Sequence, residues 1–282
     1  MNRSIPPDTP DHPFARQPRF DPMPRFSANL GFLWPDRPLI ERIDAAARAG
    51  FKAVEFHYPY ATPAEALREA CARNGVRILG INTDIGAGAT GHRGLAAVPG
   101  READFEALAN QAITYCHAVG GTAVHVMAGL VADEDRAAAA DVLVANLRKA
   151  TARAAEHGLT ILLEPLNPRD MPGYFYSRVE QAAEIIDRVE ARNLKLMFDM
   201  YHVGACQGDV LTRMREQFGR IGHVQIAAVP SRAEPDEGEI AYGRVLRTLD
   251  GLGYDGWVGA EYLPRSGTDE GLVWLQSLGM SL

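Results

Sequence analysis

Apolar positions along this chain fall into two alternating rhythms. From Phe26 onward, short and nearly continuous apolar runs read as strands: FSANLGF, FKAVEFH, VRILGINTD, TAVHVMAG, LTILLEPLN, LKLMFDMYH, IGHVQIAAVP and GWVGAEYLP. Uninterrupted runs of this kind suit a parallel sheet covered on both faces. Between them, apolar residues recur three and four apart, the helical period. The first such stretch is LIERIDAAARAG, closed by Gly50, and the second is TPAEALREACARNG, with Thr62 as N-cap and Pro63 at N1. READFEALANQAITYCHAVG, DEDRAAAADVLVANLRKATARAAEHG, SRVEQAAEIIDRVEAR, DVLTRMREQFG, YGRVLRTLDGLG and DEGLVWLQSL continue the alternation. Eight strand–helix repeats predict an α/β fold, a single (β/α)8 TIM barrel over residues 25–282. A doubly wound open sheet is the lesser alternative, and no GxGxxG follows the first strand to support it.

Four polar residues close the last four apolar runs. They are Glu164 in ILLEPLN, Asp199 in LKLMFDMYH, Gln225 in HVQIA and Glu261 in WVGAEYLP, separated by 35, 26 and 36 residues. Each separation is about one strand-plus-helix repeat. A single acid at a strand end commonly caps a helix or pairs with arginine. Four on consecutive strands of a barrel converge on one mouth, because the C-terminal strand ends form a ring. Carboxylates gathered there repel one another unless a cation joins them. An oxygen-only set without cysteine points to Mg²⁺ or Mn²⁺ as the divalent cation.

Other residues gather at the same end. His202 follows Asp199 by three residues and is expected to overlook the mouth, and His125 interrupts the fourth apolar run. Arg232 lies in the loop after Gln225, where a guanidinium could clamp a substrate carboxylate with two hydrogen bonds. Asp170, six residues past Glu164, is a further substrate contact. His57 and His223 are weaker candidates.

Two glutamates beside a cation allow one kind of chemistry. The cation polarises the carbonyl of a small hydroxy-carbonyl substrate, and one glutamate removes the neighbouring C–H proton. Return of the proton to the adjacent carbon is isomerisation; return to the same carbon from the other face is epimerisation. No GxSxG, P-loop or caspase-like motif competes. A catalytically silent binding barrel is the reading from another class.

Composition narrows the setting. The 282 residues carry a net charge of −7, which argues against nucleic acid as a partner. The three cysteines are scattered and read as reduced thiols in the cytoplasm, and no apolar run reaches the ~20 residues that span a membrane. Residues 1–24, crowded with proline, predict an extended or disordered leader. The alternative is an arm gripping a second copy, so a homo-oligomer stays open.

Nine stretches carry a resemblance: RFSANLGF, GFKAVEFHYPY, GLAAVPGRE, VHVMAG, LLEPLN, FDMYH, GHVQIA, EPDEGEIAYGRVL and YDGWVGAEYLP. In order and spacing the chain resembles the hydroxypyruvate isomerase family of xylose-isomerase-like TIM barrels. The resemblance implies interconversion of hydroxypyruvate and tartronate semialdehyde, with relatives acting on 2-oxo-tetronates. It implies Glu164 and Glu261 as the acid/base pair, and Glu164, Asp199, Gln225 and Glu261 as metal ligands. The layout is also similar to ketose 3-epimerases, where a histidine stands at the position of Gln225. In those relatives the positions of His202 and of an arginine near Arg232 contact substrate. This chain departs from the family pattern at Leu263, where a lysine is usual, at Ala241 and Ala228, and at His57, where an apolar residue is usual.

Overall fold

The structure, a computed structural model, describes residues 24–86 and 93–282. The expectation for the leader therefore lies, apart from Pro24, outside the described residues, as does part of the glycine-rich loop after the third strand. Eight parallel strands close into a barrel in chain order. They are β1 (Arg25–Asn29), β2 (Ala53–Phe56), β3 (Arg77–Asn82), β4 (Ala123–His125), β5 (Thr160–Leu163), β6 (Leu194–Asp199), β7 (Ile221–Ile226) and β8 (Trp257–Ala260). Closure is direct, because Arg25 through Ala28 of β1 pair in register with Trp257 through Ala260 of β8.

Around this barrel run α1 (Leu39–Ala49), α2 (Ala64–Asn74), α3 (Glu102–Val119), α4 (Arg136–Ala155) and α5 (Val179–Val189). The chain continues through α6 (Met200–Cys206), α7 (Val210–Gln217), α8 (Tyr242–Gly251) and two single turns, α9 (Thr268–Gly271) and α10 (Trp274–Ser277). Gly50 ends α1 at φ 110°, a conformation that costs a side chain and that glycine reaches freely. Thr62 does not cap α2: it is extended, and no side chain bonds the first turn of that helix. The terminal DEGLVWLQSL stretch breaks into two turns rather than one helix, with Trp274 wholly buried edge-on to Phe26.

One junction shapes the site. The sixth strand stops at Asp199, with His202 just past it as expected, and α6 begins at once at Met200. The cause is Asp199 itself, whose Oδ1 accepts from Tyr201 N at 2.8 Å and caps the new helix. Tyr201 and His202 thus stand on the first helical turn above the mouth.

Candidate active site

Strand pairing delivers the polar residues to one place. Asp199 and Gln225 are register partners across β6 and β7, and Gln225 pairs with Gly259 one strand further on. Neighbouring parallel strands lie about 4.8 Å apart, so side chains projecting inward from their ends must meet. Glu164, Asp199, Gln225 and Glu261 are all buried, each at most 5% exposed. Three of their oxygens, Glu164 Oε1, Asp199 Oδ2 and Gln225 Oε1, have no hydrogen-bond partner among the described residues. Buried acceptors are costly when left unmade. Three together on adjacent strands fit a hard divalent cation, which prefers oxygen donors of this kind.

Glu261 is held differently. Its Oε1 accepts from Asn29 Nδ2 at 2.9 Å and lies 2.7 Å from His57 Nε2. Its Oε2 faces the Arg232 guanidinium at 3.4 Å. His125 Nδ1 stands 3.4 Å from the other oxygen of Glu164, Oε2.

His202 comes close enough to resemble a ligand, since one atom each of Glu164, Asp199 and His202 lie within 4.8 Å of one another. Its hydrogen bonds say otherwise. His202 Nδ1 accepts from Asn167 N at 3.0 Å and lies 2.8 Å from Asn167 Nδ2. A ring nitrogen accepting a bond carries no proton, so in the neutral ring the hydrogen sits on Nε2. That nitrogen lies 3.8 Å from Glu164 and 3.7 Å from Asp199, and in this tautomer it donates rather than coordinates.

Around it a second network stands at the mouth. Tyr201 Oη donates to Asp170 Oδ2 at 2.7 Å, Asn167 Nδ2 donates to the same oxygen at 3.2 Å, and Arg169 donates to Tyr201 Oη at 3.1 Å. Arg232 is sandwiched between Phe32 and Tyr201, with its guanidinium carbon 4.8 and 4.9 Å from the two ring centres. It approaches Asp170 at 3.6 Å, and its Nε has no partner among the described residues. Its backbone sits at φ 57°, a left-handed position that costs a non-glycine residue about 1–2 kcal/mol. Such strain persists where surrounding contacts fix it: here Arg232 N donates to Ala228 O and its carbonyl accepts from Leu263 N, both at 2.8 Å.

The electrostatics separate the two glutamates. Burial, reinforced by Glu261 and Asp199, raises the Glu164 carboxyl well above its ordinary range. Burial next to Glu261 likewise raises Asp199 to about 7. Burial would raise Glu261 too, but the His57 hydrogen bond and the Arg232 charge outweigh it and hold it at about 2. Burial lowers His125 to about 4, and burial with the nearby Arg232 charge lowers His202 to about 3, so both rings are neutral at pH 7. Pairs of carboxyls pushed apart in this way commonly mark an acid and a base.

The chain matches the model of the xylose isomerase-like TIM barrel family over residues 43–278. It is 47% identical over 255 residues to the 2-oxo-tetronate isomerase of Cupriavidus necator, covering 90% of this chain and 98% of that protein. The hydroxypyruvate isomerase of Escherichia coli is 37% identical, with coverage of 90% and 98%. This chain belongs to the hydroxypyruvate isomerase family of xylose isomerase-like TIM barrels. By that membership it is an isomerase. A crystal structure from Brucella melitensis, named as an AP endonuclease of family 2, superposes with a TM-score of 0.88 at 39% identity over 90% of this chain and 98% of that one.

Within this family framework the residues expected at the mouth converge there. Glu164, Asp199, Gln225, Glu261, His125, His202, Arg232 and Asp170 all lie at or just above the C-terminal ends of the strands. His57, rated weaker from sequence, is in direct contact with Glu261. Asn29, Asn167 and Tyr201 were not singled out, although each follows a strand closely enough to have been tested as a partner. Glu55, inside β2, is the least legible: a buried acid in mid-strand gives no periodic signal.

Proposed function

We propose that this chain isomerises a small hydroxy-oxo acid, hydroxypyruvate to tartronate semialdehyde, by proton transfer between adjacent carbons. The observation that carries the reading is the trio of buried oxygens on Glu164, Asp199 and Gln225 beside a second glutamate held separately. Those three residues, with Glu261 as the fourth ligand, would hold a divalent cation, Mg²⁺ or Mn²⁺, which would supply a Lewis acid that makes the C–H beside the carbonyl more acidic.

The residues divide the remaining work. Arg232, stacked on Tyr201 and facing Asp170 at 3.6 Å, clamps the substrate carboxylate. One of Glu164 and Glu261 removes the proton from C3 of hydroxypyruvate, and the resulting enediolate is protonated at C2 by the pair. The hydroxyl proton on O3 passes to O2, leaving an aldehyde at C3 and a hydroxyl at C2. His202, with its proton on Nε2, donates to a substrate oxygen, and His125 faces Glu164 as a neutral ring. Glu164, Glu261, His125 and His202 are buried, which shields the groups that handle the proton from bulk water.

A second substrate, a 2-oxo-tetronate, is favoured by one observation: a relative named for it is 47% identical, against 43% for a putative hydroxypyruvate isomerase of Mus musculus and 37% for the hydroxypyruvate isomerase of Escherichia coli. The chemistry is the same with one more carbon. The test is incubation of purified protein with each acid in D₂O with Mg²⁺ or Mn²⁺, following carbonyl migration and deuterium uptake by NMR. Migration with either acid that stops with EDTA supports the reading. No exchange with any small 2-oxo acid, in protein shown to be folded, removes it.

A further inference from the structure

Of the four ligand candidates Gln225 alone is uncharged, and an amide can present either end to a cation. Its nitrogen would repel the ion and its oxygen would bind it, so something must decide which way it faces. Gln225 Nε2 donates to Glu55 Oε2 at 2.8 Å, and both residues are buried. An ionised carboxylate only accepts, so Glu55 can face the nitrogen end and not the oxygen end. The amide oxygen is then the end left free: it is buried with no hydrogen-bond partner among the described residues, on the strand position paired with Asp199.

Glu55 is itself fixed. Ser27 Oγ donates to its Oε1 at 2.6 Å, and His223 Nε2 lies 3.0 Å from the same oxygen, though off the line of a hydrogen bond. Gly259 makes the room: a Cβ there would lie 2.3 Å from Glu55 Oε1. Beside the pair the barrel axis holds a cavity of about 130 Å³, lined in part by Glu55, His223 and Gln225. Water in such a space can bond either end of an amide, so it does not choose between them.

We propose that Glu55 is a positioning residue that, by accepting from Gln225 Nε2, aims the Gln225 carbonyl oxygen at a divalent cation. This rests on the cation-dependent reading above, and the two can fail separately. The test is Mn²⁺ binding by the full chain, measured from free Mn²⁺ by electron paramagnetic resonance, alongside thermal melting. Glu55→Ala is expected to weaken binding about 10- to 100-fold, the usual effect of losing a partner that orients a ligand.

The sharper comparison is Gln225→Glu. Added negative charge near a cation should tighten binding, but here it sets two carboxylates against each other and should weaken it by about tenfold or more. Adding Glu55→Gln rebuilds an amide–carboxylate bond with its polarity reversed, and should return binding to within about threefold of wild type. Gln225→Glu binding as tightly as wild type, or a double variant that is unfolded or no better than the single, overturns the proposal. Glu55→Ala with unchanged Mn²⁺ affinity also overturns it and leaves the proposed function standing. Wild-type protein that binds no Mn²⁺ overturns both.

Discussion

Replacing Arg232 tests the substrate's charge directly. Its guanidinium is four-fifths enclosed, with 18% of the side chain exposed, and it is stacked between Phe32 and Tyr201. A clamp on a carboxylate makes two charge-assisted bonds, each worth about 1.5–3 kcal/mol. Taking the low end for both gives about 3 kcal/mol, and at 1.4 kcal/mol per decade Arg232→Ala should lower kcat/KM for hydroxypyruvate about 100-fold. The loss should fall mainly on KM, because the carboxylate is bound equally in ground and transition states.

Stability should fall less. Glu261 keeps Asn29 and His57, and Asp170 keeps Tyr201 and Asn167, so neither carboxylate is left bare. The melting shift should correspond to roughly 1–2 kcal/mol. Arg232→Lys keeps a charge without the planar fork or the stack, and should sit between wild type and the alanine variant. The assay is initial-rate kinetics of both variants with hydroxypyruvate and with an uncharged ketose. A KM for the acid within twofold of wild type refutes the clamp. An equal loss with the uncharged ketose would mean that Arg232 serves the site's geometry rather than the substrate's charge.

Three further outcomes follow from the same geometry. Asp199→Asn should abolish Mn²⁺ binding and activity together, since it removes the charge on one of the three buried oxygens, and calorimetric titration with Mn²⁺ checks it. Asn167→Ala keeps the backbone N–H that fixes the His202 tautomer and removes only the side-chain contacts to His202 Nδ1 and Asp170, so kcat should fall by no more than about tenfold while Mn²⁺ affinity stays unchanged. The third concerns pH in metal-free protein. Asp199 is raised to about 7, and an unfolded aspartate titrates near 4, so folding favours the protonated form. That carboxyl costs nothing below about pH 4 and progressively destabilises the apoprotein as pH climbs to about 7. Melting temperature in EDTA should therefore fall across this window, and the rise on adding Mn²⁺ should grow across it. A metal-induced shift as large at pH 5 as at pH 8 would contradict the burial of uncompensated charge.

The fold was legible because its signal is periodic. Eight apolar runs and their helical partners specify a barrel, but not the helix that starts at once after Asp199, where a capping side chain turns the chain. The oxygens of strands five to eight were legible because an acid that closes an apolar run is conspicuous. Asn29, Glu55 and Asn167 were not. An asparagine at a strand end is ordinary turn chemistry. Its partner is fixed only when the barrel closes and brings β1 beside β8, so that Asn29 reaches a residue 232 positions away.

That asymmetry is a property of how the site is built. β5 to β8 carry the oxygens that would meet a cation, while β1, β2 and β4 carry groups that approach those oxygens from the other side. Asn29 and His57 donate to or face Glu261, Glu55 takes the amide hydrogen of Gln225, and His125 stands against Glu164. The contacts to Glu261 and Gln225 span the barrel or its seam, whereas His125 meets Glu164 across the paired strands β4 and β5. A cation site made only of the second half would present carboxylates free to turn toward any donor. Closing the barrel supplies the partners that choose one orientation for each, and a closed sheet, unlike an open one, lets the first strands reach the last. The departure at His57 falls within this orienting half, on Glu261 itself.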